Sequence, residues 1–220
     1  MKTNNLKVSY LDAGKIVGLL AVFFIGAQRN VMAVIHPYFN IGFGNSSGNE
    51  NVYQAFVGSA EFGIQKRFGG IGLHIARLQQ ATKPDILRQG TLSMMPIMLN
   101  LYGNIPITHS LKAHMGGGVC YVVMNRILDE KETKVFNLTG YDFDESIDNG
   151  MGFQIMGGLE YLITKKISIG IDLMQIFFDT KIRTRKTNKN TFREQGRTIE
   201  DEGIIQMNNI FGLAYARLYF

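Results

Sequence analysis

The sequence predicts an all-β protein, an eight-stranded antiparallel up-and-down transmembrane β-barrel, on three observations. Eight stretches alternate apolar and polar residues with period two. The connections between them alternate short and long. After the first 33 residues no apolar run approaches the ~20 residues a membrane helix needs, although the mean hydropathy of the 220-residue chain is +0.01. A balanced mean that hides strong alternation is what lipid-facing and lumen-facing positions produce together.

Residues 1–33 read as a cleavable signal peptide, leaving 34–220 as the barrel. Lys7 and Lys15 give a basic start, Ile16 to Ala27 an apolar core, and Val31-Met-Ala33 a small-residue cleavage site. An anchoring helix that stays attached is the alternative, but the run is short and no stop-transfer pattern follows. Cleavage removes Lys2, Lys7, Lys15 and Arg29 from 23 basic residues and Asp12 from 18 acidic ones, so the net charge falls from +5 to about +2. The basic character belongs largely to the segment that is cleaved off and gives no reason to expect nucleic acid. Cys120 is the only cysteine, which rules out an intrachain disulfide.

The alternating stretches are 34–43, 53–67, 69–79, 92–103, 111–124, 151–163, 166–180 and 204–220. The first opens the series. In the second, Phe56, Ala60, Phe62 and Ile64 share one face and Ser59, Glu61, Gln65 and Arg67 the other. The third sets Ile71, Leu73 and Ile75 against Gly70, Gly72 and His74. The fourth sets Met95, Ile97, Leu99 and Leu101 against Met94, Pro96, Met98, Asn100 and Tyr102. The fifth puts His114, Cys120 and Val122 on one parity, and the sixth Met156 and Glu160. The seventh opposes Ile167, Ile169, Ile171 and Leu173 to Ser168, Gly170 and Asp172. The eighth carries Ala214, Ala216, Leu218 and Phe220 on one face. Each is about long enough to cross a bilayer as a tilted strand of ~9–11 residues.

Phe68, 104–110 and 164–165 are short connections; 44–52, 80–91, 125–150 and 181–203 are long and polar. Tight periplasmic turns and longer external loops are the outer-membrane pattern, so the expected location is the bacterial outer membrane. A soluble lipocalin-like barrel also alternates, but it buries its apolar face. Phe220, a terminal aromatic on an alternating strand, resembles the assembly signal read by the barrel-assembly machinery, which is one expected partner.

From Leu92 to Arg183 the chain resembles the OmpW family of small outer-membrane barrels. The residues are Met95-Pro-Ile-Met-Leu-Asn-Leu-Tyr102, Ala113-His-Met-Gly-Gly-Gly-Val-Cys-Tyr121, Gly157-Gly-Leu-Glu-Tyr161 and Ile169-Gly-Ile-Asp-Leu-Met-Gln-Ile-Phe-Phe-Asp-Thr-Lys181. The order of strand, short turn, Gly-rich strand and strand closing in Asp-Thr-Lys follows that family; the segment after the signal does not, and Trp is absent. The resemblance implies a narrow barrel that passes or binds small hydrophobic molecules.

Strand parity gives this a residue-level form. The loop-side half of the interior collects Met94, Met98, Cys120, Val122, Met156, Met174, Met207 and Phe211 as an apolar lining. The periplasmic half collects Asn100, His114, Glu160 and Arg217, with Glu61 near the middle and Gln65 and Arg67 below it, as a polar plug; Tyr102 and Tyr219 share it. Glu160 and Arg217 are the expected ion pair, since a buried charge needs a partner. Methionine is flexible and polarisable enough to adapt to varied ligands. Small eight-stranded barrels are also often filled by side chains alone, so a structural or adhesive surface protein is the other reading.

Loop 125–150 is acidic, and loop 181–203 is basic up to Arg197; as neighbours they would attract. The basic run also suits lipopolysaccharide phosphates, so membrane lipid and lipopolysaccharide are expected partners. No enzymatic activity, cofactor or metal is expected. His109 and Ser110 are adjacent and point apart, while His36, His74 and His114 lie on different strands with no serine partner. Paired cysteines and HExxH are absent.

Overall fold

Alternation becomes closure once the stretches pair. The computed structural model describes residues 35–47, 52–83, 90–128, 141–188 and 198–220; the expected signal segment 1–33 lies outside them. The described strands are β1 (His36–Ser46), β2 (Ala55–Lys66), β3 (Gly69–Ala81), β4 (Gly90–Pro106), β5 (Leu111–Leu128), β6 (Tyr141–Ile147), β7 (Gly150–Leu162), β8 (Ile167–Asn188) and β9 (Thr198–Tyr219). All pairings are antiparallel. They run β1-β2-β3-β4-β5-β7-β8-β9, and β9 pairs back onto β1 from Tyr38↔Tyr219 to Ser46↔Phe211, so eight strands form a ring. Following lateral partners from Arg217 through Asn40, Glu61, His74, Met98, Cys120, Gly152 and Phe178 returns to β9 at Met207, ten residues up the strand. The strands are therefore tilted, as closure of a barrel requires.

Which face meets which medium follows from exposure. Ile41, Phe62, Leu73, Leu99, Val119, Ile155, Ile171 and Leu218 are exposed on the outside, while Glu61, Glu160 and Arg217 are buried inside. That is the reverse of a soluble barrel and the surface a bilayer requires. Pro96 has no N–H to donate, and the β3–β4 register is interrupted beside it, between Ile75↔Ile97 and Leu78↔Met94.

In two expected long loops the described residues are largely strand. β5 runs to Leu128, β6 covers 141–147, and β8 stays paired with β9 as far as Thr187↔Thr198. Here the residues alternate charge with Thr and Ile, and the charges pair. Arg183 Nε lies 3.0 Å from Glu202, Arg183 Nη2 2.9 Å from Asp148, and Arg185 Nε 3.8 Å from Glu200. Cross-strand charge pairs stabilise such strands without an apolar period, so an apolar-alternation reading ends where they begin.

β6 and β7 are one strand broken by a bulge. Both pair with β8, but Ile147↔Ile182 and Gly152↔Phe178 leave five steps on one side against four on the other. The Asp148 amide donates to the Lys181 carbonyl, and Asn149 Oδ1 accepts from the Met124 amide where pairing with β5 has ended. At the opposite end, two turns repeat one design. In Ile107-Thr-His-Ser110 and Ile163-Thr-Lys-Lys166 the threonine hydroxyl accepts from the amides two and three residues on.

Candidate functional site

The turn-side interior is organised by Arg217, on β9, whose guanidinium is buried. Its Nη1 donates to Glu160 Oε2 on β7 at 2.7 Å, and Nη2 lies 3.6 Å from Glu61 Oε2 on β2. The guanidinium carbon sits 4.4 Å from the Tyr38 ring centroid and 5.0 Å from that of Tyr215. Both carboxylates have further partners. Glu160 accepts from the Tyr219 hydroxyl, from Tyr215 at 3.3 Å and from Lys112 Nζ at 3.0 Å; Glu61 accepts from Tyr38 at 2.8 Å and Asn40 at 3.2 Å. His114 Nε2 lies 2.7 Å from Asp172 Oδ1.

Side-chain-free positions make this density possible. Gly170 on β8 separates Glu160 on β7 from Tyr215 on β9, and a Cβ there would stand 2.4 Å from Tyr215 Cζ. Gly72 does the same for Glu61: a Cβ would stand 2.2 Å from Glu61 Oε1. A charged cluster with this many hydrogen bonds can close an axial path while keeping its own charges neutralised.

Above the plug lies a buried apolar cluster. Met94, Met98, Cys120, Val122, Met156, Met174, Met207 and Phe211 all belong to one buried cluster, to which Met124, Leu78, Ile176 and Phe178 also contribute. Six of the 11 methionines face inward here. A polar strut crosses its upper part: Gln80 Nε2 donates to Ser46 Oγ at 3.1 Å, and Asn209 Nδ2 donates to Gln80 Oε1 at 3.3 Å.

Of the polar positions singled out in sequence, Glu61, His114, Glu160 and Arg217 sit in the plug, and Asn100 lies at its upper boundary, hydrogen-bonded to Gln154. Arg67 does not join them: it is exposed in the β2–β3 turn, its guanidinium 5.2 Å from the Phe68 ring. Phe220 is exposed on the outside, its amide donating to the Pro37 carbonyl. Tyr38, Tyr215, Lys112 and Asp172 are plug residues that sequence reasoning passed over, although Tyr215 shares the parity of Arg217. His109 lies in an exposed turn, and Ser110 beside it is hydrogen-bonded to Thr108. Among the described residues no group of three or more His, Cys, Asp or Glu side chains is placed to hold a metal.

No protein-family model matches the sequence, and no curated protein does. Solved structures do. The outer-membrane protein OprG of Pseudomonas aeruginosa superposes with a TM-score of 0.60 at 13% identity, covering 84% of this chain and 95% of that one. Neisserial surface protein A superposes with a TM-score of 0.57 at 10% identity, covering 86% of this chain and 100% of that one. At such identities the likeness is one of fold. With its closed eight-stranded ring and its apolar outer belt, the chain has the fold of the small bacterial outer-membrane β-barrels.

Proposed function

We propose that this barrel binds small hydrophobic molecules in its loop-side chamber and takes part in their passage across the outer membrane, as the OmpW-family resemblance of Leu92–Arg183 implies. One observation carries the reading: a methionine-rich buried apolar cluster stands directly on a charge-neutralised plug, and we read that cluster as the ligand chamber. Apolar ligands gain by leaving water for such a lining, and unbranched methionines can rearrange to admit them. The plug opposes a continuous water path. This role calls for no catalytic group or cofactor.

A second reading, a structural or adhesive surface protein with a filled interior, is favoured by the burial of Met94 and Met98, at 1% and 0% exposure. Replacing Met98 and Met156 by Glu separates the two. Binding and cellular uptake of an apolar fluorescent probe should fall at least tenfold in a variant that still assembles. Unchanged binding and uptake would leave the filled barrel as the better account.

A further inference from the structure

We propose that His74, Asn100 and Gln154 form a head-group subsite for one neutral hydroxyl, so that the chamber prefers small apolar alcohols or phenols to plain hydrocarbons. This rests on the chamber binding apolar molecules, and refines what it binds.

The subsite lies where chamber meets plug. His74 is 2% exposed, and neither of its ring nitrogens has a hydrogen-bond partner. Asn100 Nδ2 and Gln154 Oε1 are also buried without partners, although Gln154 Nε2 donates to Asn100 Oδ1. The register places the three together. His74 pairs with Met98 and Gly72 with Asn100, so His74 and Asn100 are diagonal neighbours on the inner face. Asn100, Gly118 and Gln154 are successive lateral partners, and because Gly118 has no side chain the two amides meet over it. Met98 lies beside His74, and Met156 is two residues from Gln154 on the same face.

The charged groups below are already engaged. Glu61 accepts from Tyr38 and Asn40 and faces Arg217, and Asp172 is held by His114. Neutral imidazole offers one donor and one acceptor, Asn100 a donor and Gln154 an acceptor. A hydroxyl both donates and accepts, so it answers this set. A carboxylate only accepts and would face the carboxylates of Glu61 and Asp172; an ammonium only donates and would leave the Asn100 Nδ2 donor without an acceptor.

The test uses the full barrel in lipid nanodiscs with 13C-methyl-labelled methionine, titrated with octane, 1-octanol and octanoate. In the wild type, octane and octanol should both move the Met98 and Met156 methyl signals. In His74→Leu the dissociation constant for octanol should rise about five- to tenfold, the worth of one good buried hydrogen bond, while that for octane stays within twofold. His74→Gln should restore much of the loss, and Asn100→Ala should weaken octanol in the same direction should His74→Leu fail to fold. An octanol constant unchanged in the folded variants overturns the subsite, as does octanoate binding more tightly than octanol. If neither octane nor octanol moves the chamber methyls in the wild type, the chamber reading fails as well, and the two failures are told apart.

Discussion

Arg217 and Glu160 meet at 2.7 Å across an intervening strand, β8, whose Gly170 pairs with Glu160 on one side and on the other with Tyr215, two residues from Arg217. The pair is the centre of the plug, because Glu61, Lys112 and four tyrosines contact one or other of its members.

Removing one member strands the other. Arg217→Met should lower the unfolding free energy of the vesicle-refolded barrel by about 3–5 kcal/mol, because two carboxylates lose their common counter-ion in a buried site. Adding Glu160→Gln and Glu61→Gln to it should recover a large part of that loss. Urea titration read by gel mobility measures both; a single variant within 1 kcal/mol of wild type would contradict the plug's energetics.

The space at Gly170 is a second handle. Gly170→Ala puts a methyl against Tyr215 and should cost about 1–3 kcal/mol, with an altered Tyr215 ring signal. Gly58→Ala is its control, since nothing lies within 4 Å of a Cβ there, and it should fall within about 0.5 kcal/mol of wild type.

Depth in the membrane is testable with one substitution type. Ile171 and Ile204 are both exposed and both outward-facing, at 59% and 71%, yet Ile171 sits in the apolar belt and Ile204 in the protruding hairpin opposite Lys181. Ile171→Arg should cost about 2–4 kcal/mol, the penalty for a cation near the bilayer midplane, and Ile204→Arg close to nothing. Equal costs would place the belt elsewhere.

The hairpin beyond Ile182↔Gly203 should be dispensable for folding. Its ion pairs are solvent-exposed, and exposed pairs contribute only about 0–1 kcal/mol. Joining Ile182 to Gly203 through Asn-Gly should leave a barrel that still shifts mobility on boiling in SDS. Loss of that shift would show that the protrusion helps to hold the ring.

The fold was legible because each spanning strand has one face in lipid. Phe62 and Ile64 against Glu61 and Gln65 is enough to mark β2, and the same rule marks the other spanning strands. It fails at Tyr141–Ile147 and at 181–188, where charged residues and threonines break the apolar period and much of the pairing is between charges. It also gives side but not height. That His74, Asn100 and Gln154 lie together on three strands follows only from the register, and the bulge at Asp148–Asn149 has no signature in apolar period. Tyr38 and Lys112 went unread for a related reason: their importance comes from Arg217 and Glu160, residues far away in sequence.

The ten-residue climb of the lateral row governs what the chain can tolerate. Deleting two residues from one spanning strand keeps every side chain on its own side of the wall, but slides that strand by about 7 Å along its length against both neighbours. An edited β3 would still show the right polarity while lifting His74 away from Asn100 and toward the methionines. Orientation and altitude are thus separate inheritances of this wall: substitutions can corrupt the first, but only insertions and deletions can corrupt the second.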